Sequence, residues 1–377
     1  MSDAPGPGDA GRDLGILGGG QLGRMLAQAA LPLGIRCRFL DPDPGAVAGA
    51  VGELITAPYD DAAAQTRLAA SCAAVTWEFE NVSLAAVTSL ATQVPVRPGI
   101  QALAAKQDRL DEKRFLRDLG IATAPFAPVS SRAELDAAAV TIGLPAVLKT
   151  RRDGYDGKGQ AILRSTADVD AAWARLGSVP LILEGFVAFV RECSILAVRS
   201  AEGEIRFWPL VENEHRGGIL HRSLAPAPHS WVVQDQAEAA ARLVLEKLTY
   251  VGVLAIEFFQ DGDHLLANEF APRVHNSGHW TIEGSVTSQF ANHLRAVAGL
   301  PLGVTAMRGH AIMINLVGTM PDRAAVLRIP GTQLHDYGKL PRPGRKLGHV
   351  TIVHDDARRC VELADAVAAL LAATAPV

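Results

Sequence analysis

Cysteine is scarce in this chain, and what there is lies scattered. Cys37, Cys72, Cys193 and Cys360 form no C-x-x-C pair. That excludes a disulfide framework and a cysteine zinc site, and it fits a reducing compartment. No apolar run approaches the ~18–20 residues a membrane span needs. A basic excess is missing too: 36 Lys and Arg stand against 40 Asp and Glu, a formal net charge of -4. Such a balance does not support nucleic acid as the main partner. There is no Ser-His-Asp order, no H-E-x-x-H and no G-x-S-x-G elbow, so nucleophilic hydrolysis is unsupported. No internal repeat is visible. What remains is ordinary globular composition, 49% hydrophobic and 20% charged over 377 residues. At roughly 100–200 residues per domain this makes two or three domains, with no bulk disorder. Residues 1–12 are Gly/Pro-rich and acidic, lack the basic and apolar regions of a signal peptide, and are expected to be a disordered leader.

The chain reads as α/β. A strand at Leu14–Leu17, a glycine turn over Gly18–Gly23, a helix over Arg24–Leu31 and a strand at Arg36–Leu40 compose a βαβ unit, hence a parallel sheet. A third strand at Ala73–Trp77 runs into Glu78. Residues 13–108 therefore read as a doubly wound, Rossmann-like domain. A helix over Asp108–Leu119 stops at Gly120, as a C-cap does. The spacing predicts strands at Ala146–Lys149, Ala161–Leu163, Leu181–Glu184, Cys193–Val198 and Ile205–Leu210. A helix is expected over Gln234–Leu248, then a hairpin of Val253–Phe259 with His264–Phe270. A strand at Ala311–Leu316, a basic loop over Pro341–Gly348 and a terminal helix close the chain.

Four stretches carry chemistry. Gly18, Gly20 and Gly23 spell G-x-G-x-x-G between a strand and a helix, where backbone N–H groups reach a phosphate. Asp41 sits near the offset of a ribose-binding acid, so a nicotinamide or flavin dinucleotide, the phosphate of a smaller ligand, and a bare βα turn all stay open. The second glycine loop, Gly154 to Gln160, follows Lys149 on its strand and alternates glycine with charge. A loop of that kind folds over a polyphosphate while the strand lysine supplies a fixed counter-charge. Glu257, Asn268 and Glu269 interrupt apolar strands and offer hard oxygen ligands of the kind Mg²⁺ takes. Both glutamates share a face only if the hairpin loop is odd, as Asp261-Gly262-Asp263 would be, or if a bulge intervenes. Next comes the polar run Arg273-Val274-His275-Asn276-Ser277, with a bidentate anion fork and a titratable imidazole. His215 and the basic Arg342, Arg345 and Lys346 read as solvated loop residues when taken alone.

Together these pieces resemble the ATP-grasp superfamily and, more narrowly, the N5-carboxyaminoimidazole ribonucleotide synthetase family of purine biosynthesis. The resemblance rests on G-G-G-Q-L-G-R-M-L, G-Y-D-G-K-G-Q, N-E-x-A-P-R-V-H-N-S-G-H-W-T and R-P-G-R-K-x-G-H, in that order from Leu14 to His354. It implies a pre-ATP-grasp domain over 13–108, an ATP-grasp domain over 109–298 with a lid at about 121–207, and a small C-terminal domain over 299–377. It further implies ATP-dependent conversion of bicarbonate to carboxyphosphate and carboxylation of 5-aminoimidazole ribonucleotide, with Mg²⁺, in a cytoplasmic homodimer. Arg109, Lys149, Gly154, Tyr155, Asp156, Gly157, Lys158, Gly159, Gln160, Glu184, Gly185, Phe186, Val187, Glu192, His215, Asn268 and Glu269 would then hold ATP, and Glu257 and Glu269 the metal. Gly20, Gln21, Leu22, Tyr155, Asp156, Arg273, His275, Asn276, Ser277, Arg345 and Lys346 would face the ribonucleotide and bicarbonate. Asp156 or His275 would be the base, with Arg273 and Lys346 on the reacting anion.

The chemistry of the residues agrees. Bicarbonate is a poor electrophile, so phosphorylation supplies a leaving group, and a closing lid protects a labile intermediate from water. Asp153 departs from the family's glycine at that position. Other readings are a different ATP-grasp ligase or transformylase, set apart by the substrate loop, a dinucleotide oxidoreductase, and a non-catalytic scaffold. The oxidoreductase rests on Gly18, Gly20, Gly23 and Asp41 and leaves Glu257, Asn268 and Glu269 without a purpose.

Overall fold

The computed structural model describes residues 13–154 and 157–374. The expected leader at 1–12, and Tyr155 and Asp156 of the lid loop, lie outside the described residues.

The first unit is a four-stranded parallel sheet in the order Glu53–Thr56, Cys37–Asp41, Leu14–Leu17, Ala74–Trp77. The strand Glu53–Thr56 was not expected; it is a short edge strand with only Ile55 buried, so it carries no alternating pattern. The helix after the glycine loop spans Gln21–Ala30 and has no side-chain cap at Gly20. Its free N–H groups are met from across the sheet. Glu78, at the end of the last strand, accepts from Gly20 N and, at 2.7 Å, from Gly23 N.

A nine-stranded sheet forms the centre. Its path runs His264–Ala271, Gly252–Asp261, Arg191–Arg199, Val211–Arg216, Ile219–Ala225, His310–Val317, Lys346–His354, Thr332–Asp336, with Ile205–Phe207 paired beside Arg191–Arg199. Strands from both sides of position 298 thus share one sheet. The strand expected over Ile205–Leu210 ends at Phe207, and the chain enters the sheet again at Val211. The basic loop also ends earlier than expected, because Lys346 already starts a strand. The reason is composition: Arg, Pro and Gly dominate to Arg345, and an apolar-rich ladder follows.

A smaller antiparallel sheet, Phe126–Val129, Leu181–Gly185, Ala146–Thr150, Gln160–Leu163, encloses its own core with helices Arg132–Ile142 and Ala167–Leu176. It carries the glycine loop between two of its strands. The helix Arg109–Asp118 leads into it, capped by Asp108, which accepts from Leu110 N at 3.0 Å. Gly120, at φ 76, ends that helix.

Two hydrogen bonds fasten the parallel sheet to the central body. His293 accepts Val253 N at Nδ1 and so turns its Nε2–H to Thr76 Oγ1, 2.9 Å away. Trp77, fully buried, donates its indole N–H to Pro272 O at 3.1 Å. Replacing Trp77 by Phe strands that carbonyl in the interior. Trp77→Phe is expected to lower the unfolding free energy by about 1–3 kcal/mol, read as an earlier midpoint in a urea titration.

Candidate active site

One face of the central sheet changes character along its length. On strand Arg191–Arg199, Leu196 and Val198 pack into an apolar cluster with Phe290 and Leu294. Ser194 and Glu192, next on the same face by the two-residue alternation, are polar. There the sheet leaves the core and becomes the floor of a cleft of about 680 Å³.

The hairpin explains how both glutamates reach that floor. Asp261 pairs directly with His264, so the turn has two residues, Gly262 and Asp263, and not the expected three. A two-residue turn alone would set Glu257 opposite Asn268 and turn Glu269 into the apolar layer. A bulge between Glu257 and Phe258 corrects the count: Phe258 pairs with Ala267 and Glu257 with Glu269. Asn268 is the extra residue, and Asn268 and Glu269 both line the cleft. Ser194 lies opposite Glu257 on the other side.

Charges at this floor are paired in a definite order. Lys106, enclosed at the end of helix Ile100–Lys106, contacts Glu269 at 2.6 Å and Glu112 at 3.1 Å. Although burial opposes its charge, Lys106 above all holds Glu269 well below the usual carboxylate range. Glu257 has no such cation. Burial first, and then the neighbouring Glu269, push it up to about 7. Burial lifts Glu112 to about 7 as well, against the pull of Lys106. Lys149 and Lys113 both bind Glu184 Oε2, at 3.1 and 3.2 Å; they overcome burial and hold that carboxyl at about 2.

Most of the expected nucleotide residues gather here. Lys149, Gly154, Gly157, Gln160, Glu184, Phe186, Glu192, His215, Asn268 and Glu269 line the cleft. Arg109 lines it too, but its guanidinium is spent on the lid, donating to Thr150 O and Gly154 O at 3.0 Å each. His215 contacts Glu192 at 2.6 Å, which raises its pKa against the effect of burial. Phe189, stacked on Phe259 at 4.8 Å, and half-exposed Phe186 supply an apolar wall. Lys158, Gly159, Gly185 and Val187 are near but not in the lining.

The other end holds Gln21, Leu22, Arg273, His275, Asn276 and Lys346. Arg273 does not offer an open fork: its Nε and Nη2 are engaged bidentately by Glu80. The guanidinium in turn outweighs burial and brings Glu80 to about 2. Asn276 exchanges two hydrogen bonds with Asn315, at 3.0 and 2.7 Å. Ser277 is fully buried and backs His275 instead of facing the cleft. Arg345 also stands outside the lining. The first glycine loop is not an open phosphate cradle. Gly20 and Gly23 give their N–H groups to Glu78, and Gly19 gives its own to Asp41 Oδ2 at 2.6 Å. Asp41 is consumed by that turn, so no acid is left at the ribose position of a dinucleotide site.

Lys106, Glu112, Lys113, Glu78 and Glu80 are site residues that sequence reasoning missed. A lone Lys or Glu on an amphipathic helix reads as solvated. For Glu78 and Glu80 a signal existed: acids directly after a parallel strand lie where open α/β sheets bind ligands. No group of three or more His, Cys, Asp or Glu able to hold a metal occurs among the described residues. Two carboxylates and an amide oxygen, one carboxylate lacking a counter-cation, do fit a Mg²⁺ that takes its remaining ligands from phosphate and water.

Residues 114–290 match the model of the ATP-grasp domain, 12–107 the ribonucleotide synthetase preATP-grasp domain, and 311–363 the phosphoribosylaminoimidazole carboxylase C-terminal domain. The class is thus an ATP-grasp enzyme. N5-carboxyaminoimidazole ribonucleotide synthase of Pseudomonas aeruginosa is 55% identical over 339 residues, 90% of this chain and 94% of that protein. The crystal structure of the synthetase from Thermus thermophilus superposes with a TM-score of 0.91 at 54% identity, covering 95% of this chain and 98% of that one. The synthase from Aspergillus clavatus, in complex with ADP and 5-aminoimidazole ribonucleotide, gives 0.89 at 31% identity, over 97% and 99% of the two chains. The chain belongs to the N5-carboxyaminoimidazole ribonucleotide synthase family.

Removal of Lys106 tests the charge order. Lys106→Met takes the nearest cation from Glu269 and Glu112 and is expected to lower stability, by less than the ~3–5 kcal/mol of a fully buried uncompensated charge, because Glu112 then takes up a proton. Chemical denaturation measures it, and Lys106→Arg should recover part of the loss.

Proposed function

We propose that the chain carboxylates 5-aminoimidazole ribonucleotide, using ATP and bicarbonate, to N5-carboxyaminoimidazole ribonucleotide in de novo purine biosynthesis. ADP and phosphate are released, and carboxyphosphate is the intermediate. The observation that carries this reading is a single cleft with two differently built ends. One end has lysines on a buried glutamate, uncompensated acid and a glycine lid; the other has Arg273, His275, Asn276 and Lys346. The complex of the Aspergillus clavatus relative with ADP and 5-aminoimidazole ribonucleotide supports the assignment of both ends.

In this reading Lys149, Gly154–Gln160, Glu184–Val187, Glu192, His215 and Asn268 hold ATP, and Arg109 anchors the lid over it. Glu257 and Glu269 hold Mg²⁺, which when bound offsets charge on the phosphates. Lys149 offsets more of the charge that builds on the transferring phosphoryl group. Gln21, Leu22, Arg273, His275, Asn276, Arg345 and Lys346 serve the ribonucleotide and bicarbonate, with Asp156 or His275 as base. Glu80 and the Val274 carbonyl, which accepts from Nη1 at 3.1 Å, keep Arg273 oriented toward the cleft. The lid at about 121–207 shuts water out while carboxyphosphate exists. Domains at 13–108, 109–298 and 299–377, a homodimer and a cytoplasmic setting complete the proposal. Among the described residues no helix is long and apolar enough to cross a membrane.

The test is ADP release from Mg-ATP with ribonucleotide and bicarbonate present or omitted. Release that needs both, with labelled bicarbonate trapped in a labile product, is the expected result. Turnover indifferent to the ribonucleotide would move the substrate elsewhere. Glu269→Gln is expected to abolish release with the fold intact by circular dichroism.

The raised carboxyl gives a pH signature. Glu257 keeps its proton up to about pH 7, and a cation must displace it. The thermal stabilisation by Mg-ADP is therefore expected to grow from pH 6.5 to 7.5. Glu257→Gln, which has no proton to lose, should flatten that dependence.

A further inference from the structure

A row of small polar side chains runs behind His275, inside the protein. Ser223, Asn213 and Ser194 stand on neighbouring strands of the central sheet, and Ser277 on the loop above them; all four are buried. Further along the same face the strands carry leucine and valine, so the polar residues are not filler.

The row has a direction. Ser223 Oγ donates to Asn213 Oδ1 at 2.8 Å, and Asn213 Nδ2 donates to Ser194 Oγ at 2.9 Å. An amide NH₂ can only donate. Ser194, having accepted, passes its own proton toward Ser277 Oγ at 2.8 Å. Ser277 in turn has its hydroxyl proton left for His275 Nδ1, 2.9 Å away. The backbone N–H of Ser277, which also can only donate, points at the same nitrogen from 3.4 Å. Two donors converge on one ring nitrogen. The ring's other side turns Nε2 toward the cleft, 3.5 Å from Glu257 Oε1, and the two donors at Nδ1 alone set the tautomer. Gln289 keeps the backbone in place: its Oε1 accepts from His275 N at 2.8 Å and its Nε2 donates to His275 O at 2.7 Å.

We infer that the Ser223–Asn213–Ser194–Ser277 chain fixes His275 as the Nε2–H tautomer, so that His275 presents a hydrogen-bond donor and no lone pair to the cleft. Resting on the ligase reading above, this makes His275 a donor to an oxygen of the carbonate or phosphoryl group. The proton of the attacking amine then goes to a different acceptor. Asn213, Ser194 and Ser277 are positioning residues that act through His275.

The tautomer is read directly from imidazole ¹⁵N spectra of the labelled full-length chain without substrates. The His275 signals are picked out among 11 histidines by their loss in His275→Gln. An unprotonated Nδ1 and a protonated Nε2 are expected. Asn213→Asp replaces the donor at the middle link by a group that only accepts, and should reverse the row and shift His275 toward Nδ1–H. Ser277→Ala, a smaller change that keeps the test readable if the first variant does not fold, should mix the two tautomers. It should also lower kcat by about tenfold, less than loss of an oxyanion donor itself costs, with ADP affinity unchanged. A protonated Nδ1 in the unaltered chain, or an unchanged tautomer in both variants, overturns the inference; so does an equal loss of ADP affinity in Ser277→Ala. Because the spectra need no turnover, they stand even if the ligase reading fails.

Discussion

A carboxylate taken out of water has to find a cation, several hydrogen-bond donors or a proton. That constraint shapes this cleft more than any other. Glu184 has found two lysines, Glu269 one, and Glu80 an arginine fork. Glu78 has found two backbone N–H groups at a helix start. Glu257 has found none of these, and burial with the neighbouring Glu269 pushes its pKa up to about 7. The result is a site whose charges are already arranged around one uncompensated acid, and in which Lys113 and Lys149 already face the place a polyphosphate would occupy. Little reorganisation remains to be done when charge arrives, which is the condition for electrostatic catalysis.

The same pairs tie the three parts of the chain together. Glu80, in the turn after the parallel strand Ala74–Trp77, holds Arg273, in the loop after the central strand His264–Ala271, and Lys113 with Glu184 joins a linking helix to the small sheet. Asn315, on a strand far along the chain, fixes Asn276 in the polar loop. The C-terminal strands are continuous with the central sheet, so the Arg273 end of the cleft is buttressed by segments that supply few of its lining residues.

Much of this was visible in the sequence. The βαβ start, the lid strand with Lys149 and the Glu257–Glu269 hairpin all announce themselves through local pattern: an apolar run, a glycine turn, an acid where a strand should be apolar. Long-range pairing does not. Glu78 meets the glycine loop across 58 positions of chain, and Lys106 meets Glu269 across 163. Nothing local to either partner marks it, and each reads as an ordinary surface charge. The Glu80 grip on Arg273 and the Glu78 grip on Gly20 and Gly23 were invisible for this reason: each motif has an internal carboxylate partner far away in the chain. In the hairpin the need for equal faces was legible, whereas the choice of bulge over three-residue turn depended on whether Asp261 would pair with His264.

That bulge also bears on how the strand finds its place during folding. Drop it, and the ladder slides by one residue beyond Ala267. Glu269 would then enter the layer occupied by Phe258, Leu265 and Phe270, and Phe270 would be forced into the buried slot that Ala271 fills opposite Ala255. A slipped hairpin therefore carries a naked charge into oil and crowds an aromatic ring into a space packed for alanine at the same stroke. The acids of the cleft floor thus also police the alignment, penalising the wrong register before the rest of the sheet has formed around it.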